Sequence, residues 1–156
     1  MLRAQRTTSK TKATGLRFGI AAAQYNTALA DGLVDNCIAI LRAAGVRAKD
    51  ITVLRVPGSF EVSAAAAKLA RSRRCDCVIG LGVLVQGETS HAQHIAGAVA
   101  HGLTDIAIRT GIPTVFGVVT ANNLKQARVR CLGKQHNRGR EAAETALAMA
   151  HLWRNT

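Results

Sequence analysis

CVIGLGVLVQGETSHAQHI, residues 77–95, decides how the chain is read. It starts as an uncharged apolar run from Val78 to Val85, which predicts a parallel strand covered on both faces. The run then breaks into Gln86-Gly87-Glu88-Thr89-Ser90-His91, a polar turn opening onto a helix. Thr89 or Ser90 can cap that helix, whose free N–H groups point back toward the strand end. A strand end, a glycine-containing loop and a helix N-terminus together suit an anionic substrate. His91, in the first helical turn, stands where a titratable ring can act on a bound molecule. A solvated or capping group is the plainer reading of an isolated histidine there.

Outward from this junction, the pattern alternates strand and helix. LRFGIAAAQ (16–24) predicts a first strand. Asn26 can cap a helix over 27–44, with Leu29, Leu33, Cys37 and Leu41 on one stripe and Asp31, Asp35 and Arg42 opposite. Gly45 ends it. Ile51 to Val56 predicts a second strand closed by Pro57-Gly58, and Ser59-Phe60-Glu61 starts an Ala-rich helix to about Arg73. A strand at 75–85 and a helix at 90–110 follow, stopped by Gly111 and Pro113. Thr114 to Val119 is a fourth strand, before a short helix at 122–131 and a last one from about Gly139 to Trp153. This order predicts an α/β protein: a three-layer α/β/α sandwich around a four-stranded parallel sheet, with flavodoxin-like topology and right-handed crossovers. Ligands in such sheets sit beyond the carboxyl ends of the strands.

The 156 residues suffice for one core. Hydrophobic residues make up 48% of the chain, with only three Phe, one Tyr and one Trp, so the interior must be built from Ala, Val and Leu. No apolar stretch reaches membrane-spanning length, which predicts a soluble protein with no membrane partner. The formal charge of +12 is local. Arg3, Arg6, Lys10, Lys12 and Arg17 precede the first acid, Asp31, and a second acid-free tract runs from Ile106 to Arg140. Such charge suits phosphorylated substrates or a polyanion. Residues 1–15 are expected to be a flexible basic arm and 16–156 one domain. Cys75 and Cys77 are too close for an ordinary bridge, and all four cysteines read as small buried hydrophobes of a reducing compartment, the cytoplasm.

Several motifs fail on spacing. Gly80-x-Gly82 lacks a correctly placed third glycine for a dinucleotide fingerprint, and no phosphate-binding P-loop is present. His91-Ala-Gln-His94 lacks the glutamate of a zinc-protease helix, so no metal is expected. No Gly-x-Ser-x-Gly elbow occurs. Tyr25 and Phe60 follow the first two strands, where they are either core aromatics or a stacking wall for a flat ring. Arg128, Arg130, Lys134 and Arg138 are either a solvated run or include a phosphate clamp.

RVPGSFEV (55–62), GVLVQGETSH (82–91), FGVVTANNLKQARVR (116–130) and GKQHNRGREAA (133–143) resemble the successive signatures of the 6,7-dimethyl-8-ribityllumazine synthase family. The similarity runs from about Arg17 to Trp153, and several motifs in the right order make it specific. The resemblance implies a transferase of riboflavin biosynthesis. It would condense 5-amino-6-(D-ribitylamino)uracil with 3,4-dihydroxy-2-butanone 4-phosphate to the lumazine, releasing phosphate and water without cofactor or metal. It implies His91 as acid/base and Tyr25 as the aromatic stacked on the pyrimidine. Ser59, Phe60 and Glu61 would hold the ring and ribityl chain, and the backbone of Val83, Leu84 and Val85 would read the pyrimidine edge. Glu88 and Thr89 match the phosphate-side loop, Arg130 the phosphate clamp, and Phe116 an aromatic contributed across a subunit boundary. The family forms pentamers, some packed into sixty-subunit shells, with riboflavin synthase or anionic cargo as possible partners. Ala92 and Gln93 depart from the usual aromatic and acidic residues. Two other readings stand beside this one: an archaeal-type riboflavin synthase, and a catalytically weakened shell or scaffold packaging a polyanion.

Overall fold

The nine residues of β3, Cys77–Val85, form the strand around which the computed structural model is arranged. Residues 12–156 are described. β3 pairs in parallel with β1 (Phe18–Ala23) on one side and β4 (Thr114–Ala121) on the other. β2 (Ile51–Val56) adds beyond β1, giving the order β2-β1-β3-β4. This is the predicted four-stranded parallel sheet of a three-layer sandwich. α1 (Thr27–Ala43), α4 (Leu124–Leu132) and α5 (Arg138–Arg154) share one core with Phe18, Ile20, Ile79 and Leu81. α2 (Val62–Arg71) and α3 (His91–Thr110) share a second core with Ala21, Val78 and Val118 on the other face.

The glycines that look like half a nucleotide fingerprint are packing devices. A Cβ on Gly80 would lie 2.9 Å from a Leu103 methyl and 3.0 Å from one of Val62, so glycine there lets α2 and α3 approach the sheet. A Cβ on Gly82 would strike the Ser59 hydroxyl. On the opposite face, α5 presents Gly139, Ala142, Ala143, Ala146 and Ala150, all buried, and a Cβ on Gly139 would run into the carbonyl of Leu33. With almost no aromatics inside, density is reached by close approach rather than by large side chains.

The local structure differs from expectation in several places. The third strand starts at Cys77 because the Asp76 carboxylate accepts from the Arg17 N–H at 2.7 Å. Ser59–Glu61 is a 3-10 turn and the α-helix begins only at Val62. Asn26 takes a left-handed conformation (φ 58°) without capping α1 through its side chain; its amide instead donates to the Val83 carbonyl at 3.4 Å. β4 runs on to Ala121. The arm expected over residues 1–15 lies outside the described residues as far as residue 11, and Ala13 is buried, its N–H donating to Ala44 at 3.0 Å. All four cysteines are free and buried, and burial pushes the Cys37 thiol up to about 12 and that of Cys131 up to about 11.

One residue that the sequence reading passed over closes the α4–α5 turn. Buried Asn137 donates to the carbonyls of Cys131 (2.9 Å) and Gly133 (3.1 Å), and its Oδ1 accepts from the Arg140 N–H at 3.1 Å. Asn137→Ala should cost about 2–3 kcal/mol, because it strands two carbonyls and removes a helix cap. Urea unfolding measures this; a loss below about 0.5 kcal/mol, the level of a neutral surface change, would show that solvent replaces all three bonds.

Candidate active site

Two loops at the carboxyl ends of β1 and β2 are tied by their backbones. Gln24 N donates to Val56 O at 2.7 Å and Tyr25 N to Pro57 O at 3.0 Å. The loops carry Tyr25 and Phe60, which are 72% and 62% exposed. Neither is a core aromatic. Ser59, between them in the fold, is buried against Gly82. Glu61 is exposed, with one carboxylate oxygen accepting from the Gly58 N–H at 3.0 Å.

β3 brings its last three residues to the same end of the sheet. Val83 is buried, while Leu84 and Val85 are half-buried. The Asn26 amide bond to the Val83 carbonyl fixes the Tyr25 loop to this strand. Beyond Val85, the Gln86 N–H donates to Ala121 O at 2.7 Å, and its side-chain amide donates to the carbonyls of Thr89 (2.8 Å) and Gly87 (3.3 Å). One side chain therefore curls the Gly87–Ser90 loop. Glu88 and Thr89 are exposed on it, and Thr89 Oγ1 accepts from the His91 N–H at 3.4 Å. Thr89 is thus the residue whose side chain reaches the first amide of α3. His91 is exposed at the first position of α3. It can exchange protons with anything held over the β3 end.

Phe116 and Arg130 stand apart from that group. Phe116 pairs opposite Gly80 within β4, the sheet edge farther from Tyr25 and Phe60, and is 42% exposed. Arg130 is half-buried in the last turn of α4, in the opposite helical layer, and no described carboxylate forms an ion pair with it. It lines a cavity of about 500 Å³ together with Thr120, Asn123, Lys125, Gln126 and His136. Arg128 is exposed outside this cavity. Arg138 bonds Glu141 at 2.9 Å. Within one chain the structure therefore collects Tyr25, Ser59, Phe60, Glu61, Val83–Val85 and His91 at the β2-β1-β3 side. It leaves Phe116 and Arg130 at the β4 side. Lys125 and His136, which the sequence reading gave no role, also line this cavity.

The family model described as 6,7-dimethyl-8-ribityllumazine synthase matches residues 15–154. Similar proteins include the 6,7-dimethyl-8-ribityllumazine synthase of Aquifex aeolicus (strain VF5), 45% identical over 94% of this chain and 95% of the relative. The enzyme of the same name from Syntrophus aciditrophicus (strain SB) is 39% identical over 91% of this chain and 92% of its own. With exposed aromatics on bound-together loops, a histidine at the head of α3 and this breadth of match, the chain belongs to the 6,7-dimethyl-8-ribityllumazine synthase family.

Proposed function

We infer that the chain is a transferase that condenses 5-amino-6-(D-ribitylamino)uracil with 3,4-dihydroxy-2-butanone 4-phosphate to 6,7-dimethyl-8-ribityllumazine, with release of phosphate and water. The observation that carries this reading is the match across nearly the whole chain, at 45% identity to one relative. Neither the archaeal-type riboflavin synthase nor the inactive scaffold is favoured by it. A direct test is to combine the two substrates with purified protein and follow the lumazine chromophore; no colour above the uncatalysed rate refutes the activity.

The residue roles proposed here are those the family resemblance implies, and the exposure of the side chains supports them. Tyr25 and Phe60 offer flat apolar faces to the pyrimidine, while the backbone of Val83–Val85 reads its edge. Glu61 keeps one carboxylate oxygen outside its bond to Gly58, able to accept from a ribityl hydroxyl. Glu88 and Thr89 border the phosphate, and Arg130 clamps it with a planar fork of donors. In the condensation an amine and the ketone form an imine with loss of one water, phosphate is eliminated, and the second amine closes the ring on the remaining carbonyl with loss of a second water. His91 is placed to move the protons these steps require. Holding both partners together supplies much of the acceleration.

Assembly completes the site in this reading. Phe116 and Arg130 of one copy meet Tyr25, Phe60 and His91 of a neighbour, in a pentamer at minimum and more readily in a sixty-subunit shell. Supporting this, Ile108, Leu124, Leu152 and Trp153 are each at least half exposed, apolar groups that contact with a neighbouring copy would cover. The short turn between α4 and α5 leaves room for shell closure. Riboflavin synthase or anionic cargo could then be enclosed. Four buried free thiols suit a cytoplasmic location, and no described helix is long and apolar enough to cross a membrane.

His91→Ala should slow turnover about 10²-fold, the range for a positioned proton-transfer group, with the fold intact. Unchanged turnover removes the role. Arg130→Ala should raise KM for the phosphorylated ketone far more than for the pyrimidine, whereas Arg128→Ala should do little; equal effects on both substrates refute the clamp. Light scattering at physiological salt should show particles of at least pentamer mass. A monomer or dimer sinks the shared site, and a lone pentamer sinks only the shell.

A further inference from the structure

We propose that His136 is a second anion-binding group on the phosphate side of the site, acting beside Arg130. The inference rests on reading Arg130 as the phosphate clamp and adds to it a residue to which the resemblance gave no role. His136 and Arg130 line the same cavity at the carboxyl end of β4, with Lys125 as the other charged group. No carboxylate is among the lining residues. The acids that flank this tract in sequence, Asp105 and Glu141, are engaged with Arg109 (2.8 Å) and Arg138 (2.9 Å). The cavity is therefore a pocket of positive potential with no internal counter-charge.

Two other side chains of the lining have their oxygens engaged within the chain: Asn123 Oδ1 accepts from the Gln126 N–H, and Gln126 Oε1 accepts from the Asn122 N–H, both at 2.9 Å. Lys125, Arg130 and His136 are the lining groups that can carry positive charge to an anion, beside the neutral Thr120 hydroxyl and the two amide NH2 groups. His136 is also held in place. Its neighbour Asn137 is buried and bonded to Cys131, Gly133 and Arg140, so the turn that carries the imidazole is braced against α4 and α5. A tetrahedral dianion offers more acceptor positions than one guanidinium can fill. An imidazole opposite it adds one N–H when neutral and a full charge when protonated.

The consequence is a dependence of anion affinity on pH. Among side-chain types, imidazole is the one whose charge ordinarily changes between pH 8 and pH 5. Binding of a tetrahedral dianion should tighten as pH falls. Sulfate is the suitable probe, since it remains a dianion over this interval while phosphate does not.

The experiment measures sulfate as a competitor of the phosphorylated ketone at pH 8 and pH 5.5, with the assembled wild-type protein, His136→Gln and Arg130→Ala. In the wild type the inhibition constant should fall about fivefold or more on acidification, as expected when a charged donor replaces a neutral one. His136→Gln should flatten that trend and raise KM for the ketone at acidic pH without changing KM for the pyrimidine. Circular dichroism confirms that the variant is folded. If the pH trend persists in His136→Gln while Arg130→Ala weakens sulfate, the role of His136 is overturned and the clamp survives. If Arg130→Ala leaves both sulfate and the ketone unaffected, the phosphate reading of Arg130 falls as well.

Discussion

Everything at the site depends on β3 being packed from both sides while carrying glycine at alternate positions on one face. Gly80 and Gly82 have no side chain to hold α2 and the Ser59–Glu61 turn away from the sheet. Ser59 can therefore sit directly on Gly82, and Phe60 is carried out over the strand end. A methyl group at Gly82 would lift that turn and the aromatic with it. The same strand delivers Val83–Val85, then Gln86, whose side chain curls the loop that leads into His91. One strand thus positions both the Ser59–Glu61 turn and the loop that leads into α3.

The placement of Asn26 shows how tightly the parts are joined. Its left-handed backbone is uncommon for a residue with a Cβ, though Asn tolerates it best. Its amide reaches across to the Val83 carbonyl. Tyr25 is thereby indexed to the central strand and not merely to its own helix. On the β4 side there is no comparable link to the aromatic pair. Arg130 belongs to the α1/α4/α5 layer, and Phe116 lies partway down an edge strand. Within a single chain the Tyr25 and Phe60 loops and the Phe116 and Arg130 pair therefore lie on different sides of β3.

How much of this could be read from residues alone varied with its physical origin. The apolar run of β3, the stripe of Leu29, Leu33, Cys37 and Leu41, and the stops at Gly45 and Gly111 follow from periodicity and local propensity, and each is where expected. Helix starts were less legible, because they turned on side-chain choices. Asn26 had a partner on β3 that outcompeted capping, and Glu61 bonded back to Gly58 to make a 3-10 turn. The exposed state of Tyr25 and Phe60 was open, since an aromatic after a strand can turn inward or outward. His136 was hidden for another reason. It becomes a neighbour of Arg130 only once Asn137 has folded the turn, a long-range consequence with no local pattern.

The buried cysteines have a practical side. Cys37, Cys75, Cys77 and Cys131 are all enclosed, and desolvation raises each thiol above its ordinary range. Thiolate is the species that attacks maleimides and disulfides, so the folded chain offers such reagents almost nothing. A cysteine introduced at an exposed position would be the one sulfur to react. Fluorophores, spin labels or cross-linkers could then be attached at a chosen point without first removing the native cysteines.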